Sequence, residues 1–535
     1  MKTHNKKIFS FSLFVLCGLL ILSSCNKKDV EKQIPPDQVA QLAFSINGIE
    51  EESDGTPSKF QASLPENNTN SESQLLQLGD MNAEISVSSG PIKTQAAPSN
   101  SKQRAANMTN GYKYRVVVVN ATTGAVVGSV QATASATGPQ AEAAKIDVVK
   151  GGTYKWYAYS YNDANDVPVV ANQANPVFSP SYDKDLLIAQ STTNVTVPGT
   201  AGQGAPVEVQ VPITFKHALA KVTVRFDASS RTDQISVLNA ALNSSAYFNK
   251  GTITLNPLTG SLAYNITGQH SVSAINVSLP NTIVSSSFYT LPSGSAISNF
   301  QVNIANLTVG PLTASNKTVN FANTIVPAVG KEVIANINIL DVTLIGGVYW
   351  ATGNLYYDAA TQLHKIRNED TTPRSLSMFG NFLRTDGWNW KATYPYGGQD
   401  GNAPSYDPYS TDGVDPCTKV LPVNTWRMPE ISEFSPLQTL KNNDSPGNNT
   451  YEVYYGAANE TSYLRFRTDA NSKWIQFNMD GTLLGGVQNT GYFYAKTSNR
   501  SYLYITPTQM ELETSGIFST GAGGTFYNIR CVLNR

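Results

Sequence analysis

The sequence predicts a mainly β protein, with two tandem β-sandwich domains followed by an α+β domain. Its composition is that of strands and turns, because Ser, Thr, Asn, Gly, Val and Tyr are frequent and only 14% of the residues are charged. Runs that alternate apolar and polar residues recur between turn residues at about 8–12-residue spacing, which is typical of sandwiches. Long helical heptads are missing from the sequence, and 535 residues suffice for roughly two to four domains.

The N-terminal residues have the pattern of an export signal. A basic start is followed by an apolar run at residues 8–22, which is shorter than the roughly 20 residues that span a bilayer. The run ends in Leu-Ser-Ser-Cys, which resembles the bacterial lipobox. Residues 1–24 are therefore predicted to be a lipoprotein signal peptide and Cys25 to be lipidated. The alternative is a plain signal peptide with an incidental cysteine.

A lipid anchor would set the compartment. Each buried methylene contributes about 0.8 kcal/mol, so a multiply acylated cysteine is expected to hold the protein at the outer membrane, exposed at the cell surface. Asn26 follows the cysteine, whereas an Asp there would have suggested retention in the inner membrane. Residues 25–80 are polar and are predicted to form a flexible tether, with a candidate short strand at 42–49.

The first sandwich is predicted at residues 81–228. Strand patterns occur at 83–88, at 114–119 before a turn, and at 154–161 after a Gly-Gly turn. A further alternating run at 207–215 leads directly into the most characteristic segment of the chain.

That segment, Phe-Lys-His-Ala-Leu-Ala-Lys-Val-Thr-Val at 215–224, resembles a strand entry of fimbrillin-like proteins of the Bacteroidetes. The resemblance covers about residues 80–342 and implies two consecutive β-sandwich domains, the second at 229–342. It also implies a subunit of surface pili or fimbriae that joins other pilus subunits by β-strand addition, in which a strand of one subunit fills a groove in the next. The second domain has strand patterns at 251–260, 300–309 and 333–339.

The C-terminal domain, residues 343–535, is more aromatic than the rest of the chain. Three motifs mark it: Asp-Pro-Cys at 415–417, Trp-Arg-x-Pro-x-x-x-Glu-Phe at 426–434, and Arg-Cys-Val at 530–532. Pro429 suits the first position of a helix. The series of motifs resembles the Fibrobacter major paralogous domain, which implies a C-type-lectin-like fold.

The cysteines predict one disulfide. Cys17 leaves with the signal peptide and Cys25 takes the lipid, so Cys417 and Cys531 remain as two thiols in an oxidising compartment. A bridge between them would span 114 positions, for which the chain-entropy model gives about 4–5 kcal/mol. The alternative is two free thiols that are buried apart.

Aromatic residues of the C-terminal domain are candidates for ligand binding. Tyr394 and Tyr396 lie in a loop segment, where their rings can stack on a sugar or on a partner protein. Trp388 and Trp390 are expected on one face of a strand in the core. The predicted ligand is a glycan or protein on a host or bacterial surface.

An acidic loop follows these aromatics. Asp400, Asp407 and Asp412 lie among Gly, Pro and Tyr residues, where their oxygens could collect around calcium. The alternative is an acidic, solvated loop. The E-P-N or Q-P-D loop and the W-N-D motif of calcium-dependent sugar sites do not occur in the sequence, so no metal is assigned.

Other functional classes find little support. The net charge of −1 provides no electrostatic basis for binding nucleic acid. His217, His270 and His364 are far apart in the sequence and form no zinc-binding or catalytic motif. The protein is therefore expected to be neither an enzyme nor a cofactor binder.

These features predict a pilus tip or accessory subunit in adhesion. The C-terminal domain occupies the end from which a stalk subunit would donate a strand, so the chain is expected to accept a donor strand and to donate none. One alternative is a stand-alone glycan-binding lipoprotein of the outer membrane. Another is a C-terminal domain that binds a further pilus protein.

Arg104 is a candidate site of proteolytic processing. It is the first arginine of the chain and follows the strand pattern at 83–88. A cut after Arg104 would remove the lipid and that strand together. The alternative is that Arg104 is an ordinary exposed loop residue.

Overall fold

The computed structural model describes the chain in separate stretches, which are residues 38–50, 74–92, 105–135, 144–199, 207–321, 324–367, 386–395, 413–443, 450–456, 462–468, 473–479, 490–497, 501–514 and 527–535. The described chain is mainly β, as the sequence predicts. None of its helices has the length and apolar character needed to cross a membrane.

Before residue 346, the described residues form strands connected by turns and loops. In chain order the strands are β1 Val39–Glu50, β2 Gln74–Leu78, β3 Met81–Pro91, β4 Ala105–Ala106, β5 Lys113–Asn120, β6 Val126–Thr133, β7 Ala144–Val149, β8 Thr153–Ser160, β9 Val177–Phe178, β10 Leu187–Gln190, β11 Val195–Thr196, β12 Val207–His217, β13 Ala220–Asp227, β14 Ile235–Leu242, β15 Asn249–Asn256, β16 Ser261–Gln269, β17 Ile283–Thr290, β18 Gln301–Val309, β19 Leu312–Asn320, β20 Lys331–Leu340 and β21 Val342–Ile345.

The first sandwich is built on a sheet with the order β4-β1-β12-β10-β8-β5-β6, in which β7 also pairs with β1, and β11 with β8. Strand β1 runs parallel to β12 and antiparallel to β7. The sheet curls until β6 approaches β7, so that Gly128 lies directly against Ile146. Because successive side chains of a strand point to opposite faces, alternate residues fill one interior. The large members of this interior include Leu42, Phe44, Tyr114, Val116, Val118, Trp156, Ile213 and Phe215.

Strand β1 lies within the segment for which the sequence predicts a tether. Leu42, Ala43, Phe44 and Ile49 are completely buried in it. The tether prediction therefore does not hold for β1 or β2, which are strands of two different sheets. The candidate short strand at 42–49 lies within β1, whereas no strand is predicted from the sequence at the position of β2.

The second sandwich faces the sheet β17-β13-β20-β3-β2 against the sheet β14-β18-β19. Strand β20 runs parallel to β13 and antiparallel to β3. The strand pattern at 83–88 is therefore part of the second sandwich, although the sequence assigned it to the first. Alternation predicts that a strand forms, but contacts distant in the sequence select the strand with which it pairs.

The two sandwiches meet at a continuous joint. Strand β12 passes into β13 through Ala218 and Leu219, and β9 pairs with β15 of the small sheet β16-β15-β9. Ile253 and Leu255 of β15 pack on the outer face of β5 and β8. The phenol of Tyr264 donates a hydrogen bond to the carbonyl oxygen of Ala218 at 3.1 Å.

The C-terminal part contains short strands and one described α-helix. They are β22 Val348–Ala351, β23 Leu355–Asp358, β24 Leu363–Ile366, β25 Trp426–Arg427, α1 Ser435–Asn442, β26 Tyr451–Tyr454, β27 Tyr463–Phe466, β28 Ile475–Asn478, β29 Gly491–Tyr494, β30 Tyr502–Ile505, β31 Met510–Glu513 and β32 Val532–Leu533. Two 3-10 turns, Pro416–Lys419 and Ile431–Phe434, accompany them.

Four described sheets arrange these strands. They are β21-β22-β32-β25, the hairpin β23-β24, and the two meanders β26-β27-β28 and β29-β30-β31. Helix α1 begins at Ser435 and has Pro436 in its first turn, whereas Pro429, the residue that the sequence suggested for this position, lies before the preceding 3-10 turn.

Candidate functional site

A disulfide ties the C-terminal domain together. Cys417 and Cys531 are bonded and completely buried, so the bridge that the sequence predicts is present. Cys417 lies in the turn Pro416–Lys419, and Cys531 lies directly before β32. The bridge therefore joins the middle of the domain to its last strand.

Asp415, the first residue of the Asp-Pro-Cys motif, accepts two backbone hydrogen bonds. One carboxylate oxygen accepts from the backbone N–H of Cys417 at 3.0 Å, and the other accepts from that of Met428 at 2.8 Å. Burial raises the pKa of Asp415, and these two hydrogen bonds oppose the rise. The carboxyl side chain caps the turn and links it to the chain after β25, which is a structural role.

The second motif is also structural. The guanidinium of Arg427 donates two hydrogen bonds to the carboxylate of Glu433, at 2.7 and 2.5 Å. Glu433 also accepts from the backbone N–H of Glu430 at 2.7 Å. Trp426 and Phe434 at the two ends of the motif are buried. The motif thus fixes how the chain enters helix α1.

An aromatic cluster contains Tyr394, one of the candidate ligand-binding residues. Trp388 is completely buried, and its indole N–H donates to the carbonyl oxygen of Leu355 at 3.3 Å. Trp390 and Tyr394 are half-buried at the margin of the same core. The ring of Tyr394 packs edge-on against Tyr357 with the centroids 5.2 Å apart. Tyr394 is therefore held by neighbouring rings and only partly presented to solvent.

A second aromatic feature was not found from the sequence. Strands β29, β30 and β31 place Tyr492, Tyr504 and Glu511 in one cross-strand row, and Tyr494, Tyr502 and Glu513 in the next. We call these six residues the tyrosine–glutamate face. The sequence does contain a signal for this face: Tyr recurs at every second position in 491–494 and 501–505, and Glu does so in 510–513.

The face passes from the core to the surface. Tyr494 and Tyr502 are buried, Tyr492 and Tyr504 are half-buried, and Glu511 is exposed. Burial, together with the nearby Glu513 carboxylate, raises the pKa of Tyr502 to about 12. Its phenol therefore stays neutral and keeps its proton as a hydrogen-bond donor. Phenol rings beside carboxylates can stack on a ligand and accept hydrogen bonds from its hydroxyl groups.

The histidines have structural surroundings. His217 Nδ1 lies 2.9 Å from an oxygen of Asp185 in the buried joint between the sandwiches. His364 Nε2 lies 2.7 Å from the carbonyl oxygen of Thr393, and burial lowers the pKa of His364. Among the described residues, no group of three or more His, Cys, Asp or Glu side chains is arranged to hold a metal ion.

The remaining candidate residues fall outside the described residues, namely Cys25, Arg104, Tyr396, Asp400, Asp407 and Asp412. The described chain resumes directly after Arg104 with β4, which pairs with the end of β1.

No family model matches the chain, and no curated protein matches it. Similar solved structures include a candidate cell adhesion protein from Bacteroides fragilis, 11% identical over 58% of this chain and 95% of its own, with a TM-score of 0.32. A fimbrial assembly protein from Parabacteroides distasonis is 11% identical over 48% and 90%, with a TM-score of 0.25. The fimbrial anchor protein Mfa2 from Porphyromonas gingivalis is 14% identical over 40% and 76%, with a TM-score of 0.23. Similarities of this size carry no argument about function.

Proposed function

We propose that this protein is a surface-exposed tip or accessory subunit of a pilus, assembled by β-strand addition and anchored to the outer membrane through Cys25 during assembly. Its C-terminal domain binds a glycan or protein ligand in adhesion. The proposal contains no catalytic step. The observation that carries it is the place of β1 in the first sheet.

Strand β1 fills a slot between β12 and β7. Its apolar side chains, including Leu42 and Phe44, occupy the interior of the first sandwich. Without β1, the slot would be an apolar groove bordered by strands with unpaired backbone N–H and C=O groups. Such a groove accepts an extended strand from another chain, which supplies both the hydrogen bonds and the side chains.

The N-terminal segment is separable from the rest of that sheet. The two strands between β1 and β4 in the sequence, β2 and β3, belong to the second sandwich. A cut after Arg104 would leave β1, β2 and β3 held only by non-covalent contacts. An incoming strand could then replace β1 without breaking the chain of the first sandwich.

Processing is tested by comparing cells with purified fibres. We expect mass spectrometry to find the chain beginning at residue 105 in fibres and the lipidated, uncut chain in membranes. Arg104→Ala should remain uncut and be absent from fibres, whereas Lys102→Ala in the same stretch should behave as the wild type. Recovery of intact lipidated chain from assembled fibres would refute this part of the proposal.

The position in the fibre is tested by electron microscopy with an antibody against residues 346–535. Gold at fibre tips supports a tip subunit. Gold along the shaft supports an accessory subunit. Gold only on bare membrane supports the alternative, a stand-alone glycan-binding lipoprotein of the outer membrane.

The ligand surface is proposed at the tyrosine–glutamate face and the neighbouring half-buried Trp390 and Tyr394. Tyr504→Ala removes a half-buried ring from this face and is expected to weaken adhesion of the whole protein to host or bacterial surfaces. Tyr455→Ala is the matched control, because Tyr455 is 64% exposed and lies outside the face. Equal adhesion of both variants would place the ligand elsewhere.

A further inference from the structure

A cleft of about 440 Å³ opens at one end of the second sandwich. It lies between the segment that follows β14, the end of β16 and the segment that precedes β18. Four amide side chains line it, namely Asn243, Asn249, Gln269 and Asn299, together with four serines. This volume is within the range of small-molecule sites, about 300–1,000 Å³.

The walls of the cleft are held in place by the core beneath them. The phenol of Tyr247 donates to the carbonyl oxygen of Asn299 at 2.6 Å and accepts from the N–H of Gln301 at 3.2 Å. The buried Tyr247 ring packs on Phe300 with the centroids 4.9 Å apart. Asn299 takes a left-handed backbone conformation, with φ of 51°, that asparagine tolerates better than most residues. The cleft is therefore preformed.

Asn243 is fixed in the same way. Its amide nitrogen donates to the side-chain oxygen of Gln301 at 2.9 Å. Its amide oxygen accepts from the side-chain nitrogen of Asn303 at 2.8 Å. These two bonds orient one wall of the cleft, whereas Gln269 and Ser298 are exposed at its margin.

The chemistry of the lining selects the class of ligand. None of the described lining residues is charged, so an ionic ligand would lose its hydration without gaining a counter-charge. An apolar ligand would desolvate amides and hydroxyls without replacing their hydrogen bonds. Amides and hydroxyls both donate and accept, which matches a neutral molecule with many hydroxyl groups.

We propose that this cleft binds a neutral saccharide unit. The site lies on the second sandwich and is separate from the tyrosine–glutamate face, so it goes beyond the adhesive surface proposed above.

The test uses the whole protein, purified in detergent, on an array of neutral and acidic oligosaccharides and of uncharged peptides. Titration calorimetry then measures the affinity for the neutral sugar that gives the strongest signal. The double variant Gln269→Ala, Ser298→Ala removes two exposed polar groups of the cleft. It is expected to weaken binding by about fivefold to 150-fold, since two hydrogen bonds to the ligand are lost.

Asn265→Ala is the matched control, because Asn265 is exposed on the same strand β16 and does not line the cleft. It should bind as the wild type does. Thermal melting confirms that all variants are folded. The proposal is overturned if no neutral saccharide binds, if the double variant binds as tightly as the wild type, or if acidic sugars or peptides are preferred.

Discussion

Asp341 is almost completely buried where the second sandwich meets the C-terminal domain. Its carboxylate accepts hydrogen bonds from Arg231 at 2.8 Å and from Lys473 at 2.9 Å. Arg231 comes from the turn after β13, whereas Lys473 belongs to the C-terminal domain. A single side chain therefore links two parts of the chain that are far apart in sequence.

The two neighbouring cations lower the pKa of Asp341, and this makes the stability of the fold depend on pH. Burial by itself raises the pKa of Asp341, but Arg231 and Lys473 outweigh it, and the net pKa lies below the ordinary value of 3.8. A carboxyl group with a lowered folded-state pKa stabilises the fold above its unfolded pKa. That stabilisation is lost as the pH falls through the folded-state pKa.

Asp341→Asn is expected to lower the free energy of unfolding at pH 7 by up to about 3–5 kcal/mol, because Lys473 and the buried Arg231 each lose this counter-charge, although Arg231 keeps its pair with Asp233. The difference from the wild type should shrink below about pH 4. Urea denaturation at both pH values measures it. Asp166→Asn is the control, since Asp166 pairs with Lys113 but its side chain is 80% exposed. An equally small effect of both variants would show that the ion pairs of Asp341 do not stabilise the fold.

At the scale of elements, the β2–β3 hairpin holds the two sheets of the second sandwich together. Its turn lies against the start of β19, where the backbone N–H of Asp80 donates to the carbonyl oxygen of Thr313 at 2.9 Å. The hydroxyl of Thr313 donates back to the carboxylate of Asp80 at 2.7 Å. Gly79 makes this approach possible, with φ of 59° and no side chain.

Gly79→Ala is expected to destabilise the second sandwich, because the added Cβ would lie 2.4 Å from the carbonyl oxygen of Thr313. Gly111→Ala is the control for backbone strain alone, since Gly111 also has a positive φ, of 87°, but has open space around it. The left-handed conformation costs about 1–2 kcal/mol in both variants, and Gly79→Ala should lose more. Thermal unfolding compares them, and equal losses would show that the contact with β19 is unimportant.

At the scale of the whole molecule, the joint between the sandwiches makes the stability of one depend on the other. Leu255 of β15 is completely buried with Tyr157 and Tyr159 of β8, which belong to the other sandwich. Leu258, in the turn of the same β15–β16 hairpin, is 38% exposed. The two leucines therefore compare a buried and an exposed position of the same hairpin.

Leu255→Ala is expected to cost about 2–5 kcal/mol, since it leaves a cavity in the joint. Hydrogen–deuterium exchange should then rise in β8 of the first sandwich as well as in β15. Leu258→Ala should change exchange little. Faster exchange confined to the β15–β16 hairpin would show that the sandwiches are energetically independent.

Much of the local structure follows from sequence. The alternation at 114–119, 154–161 and 333–339 predicts strands that the structure contains as β5, β8 and β20. The sequence predicts the Cys417–Cys531 bridge, because only these two thiols remain once Cys17 is assigned to the predicted signal peptide and Cys25 to the predicted lipid. Of the candidate ligand residues, Tyr394 is found at an aromatic margin of the C-terminal core.

The pairing of these pieces follows from tertiary contacts. The sequence alone determines that Val39–Glu50 and Met81–Pro91 can alternate, but only packing decides that the first completes one sandwich and the second completes the other. The same holds for the tyrosine–glutamate face and for the amide-lined cleft, which assemble residues from separate strands and loops. The physical reason is that side-chain alternation is a property of neighbouring residues, whereas sheet register and shared cores depend on which distant surfaces exclude water together.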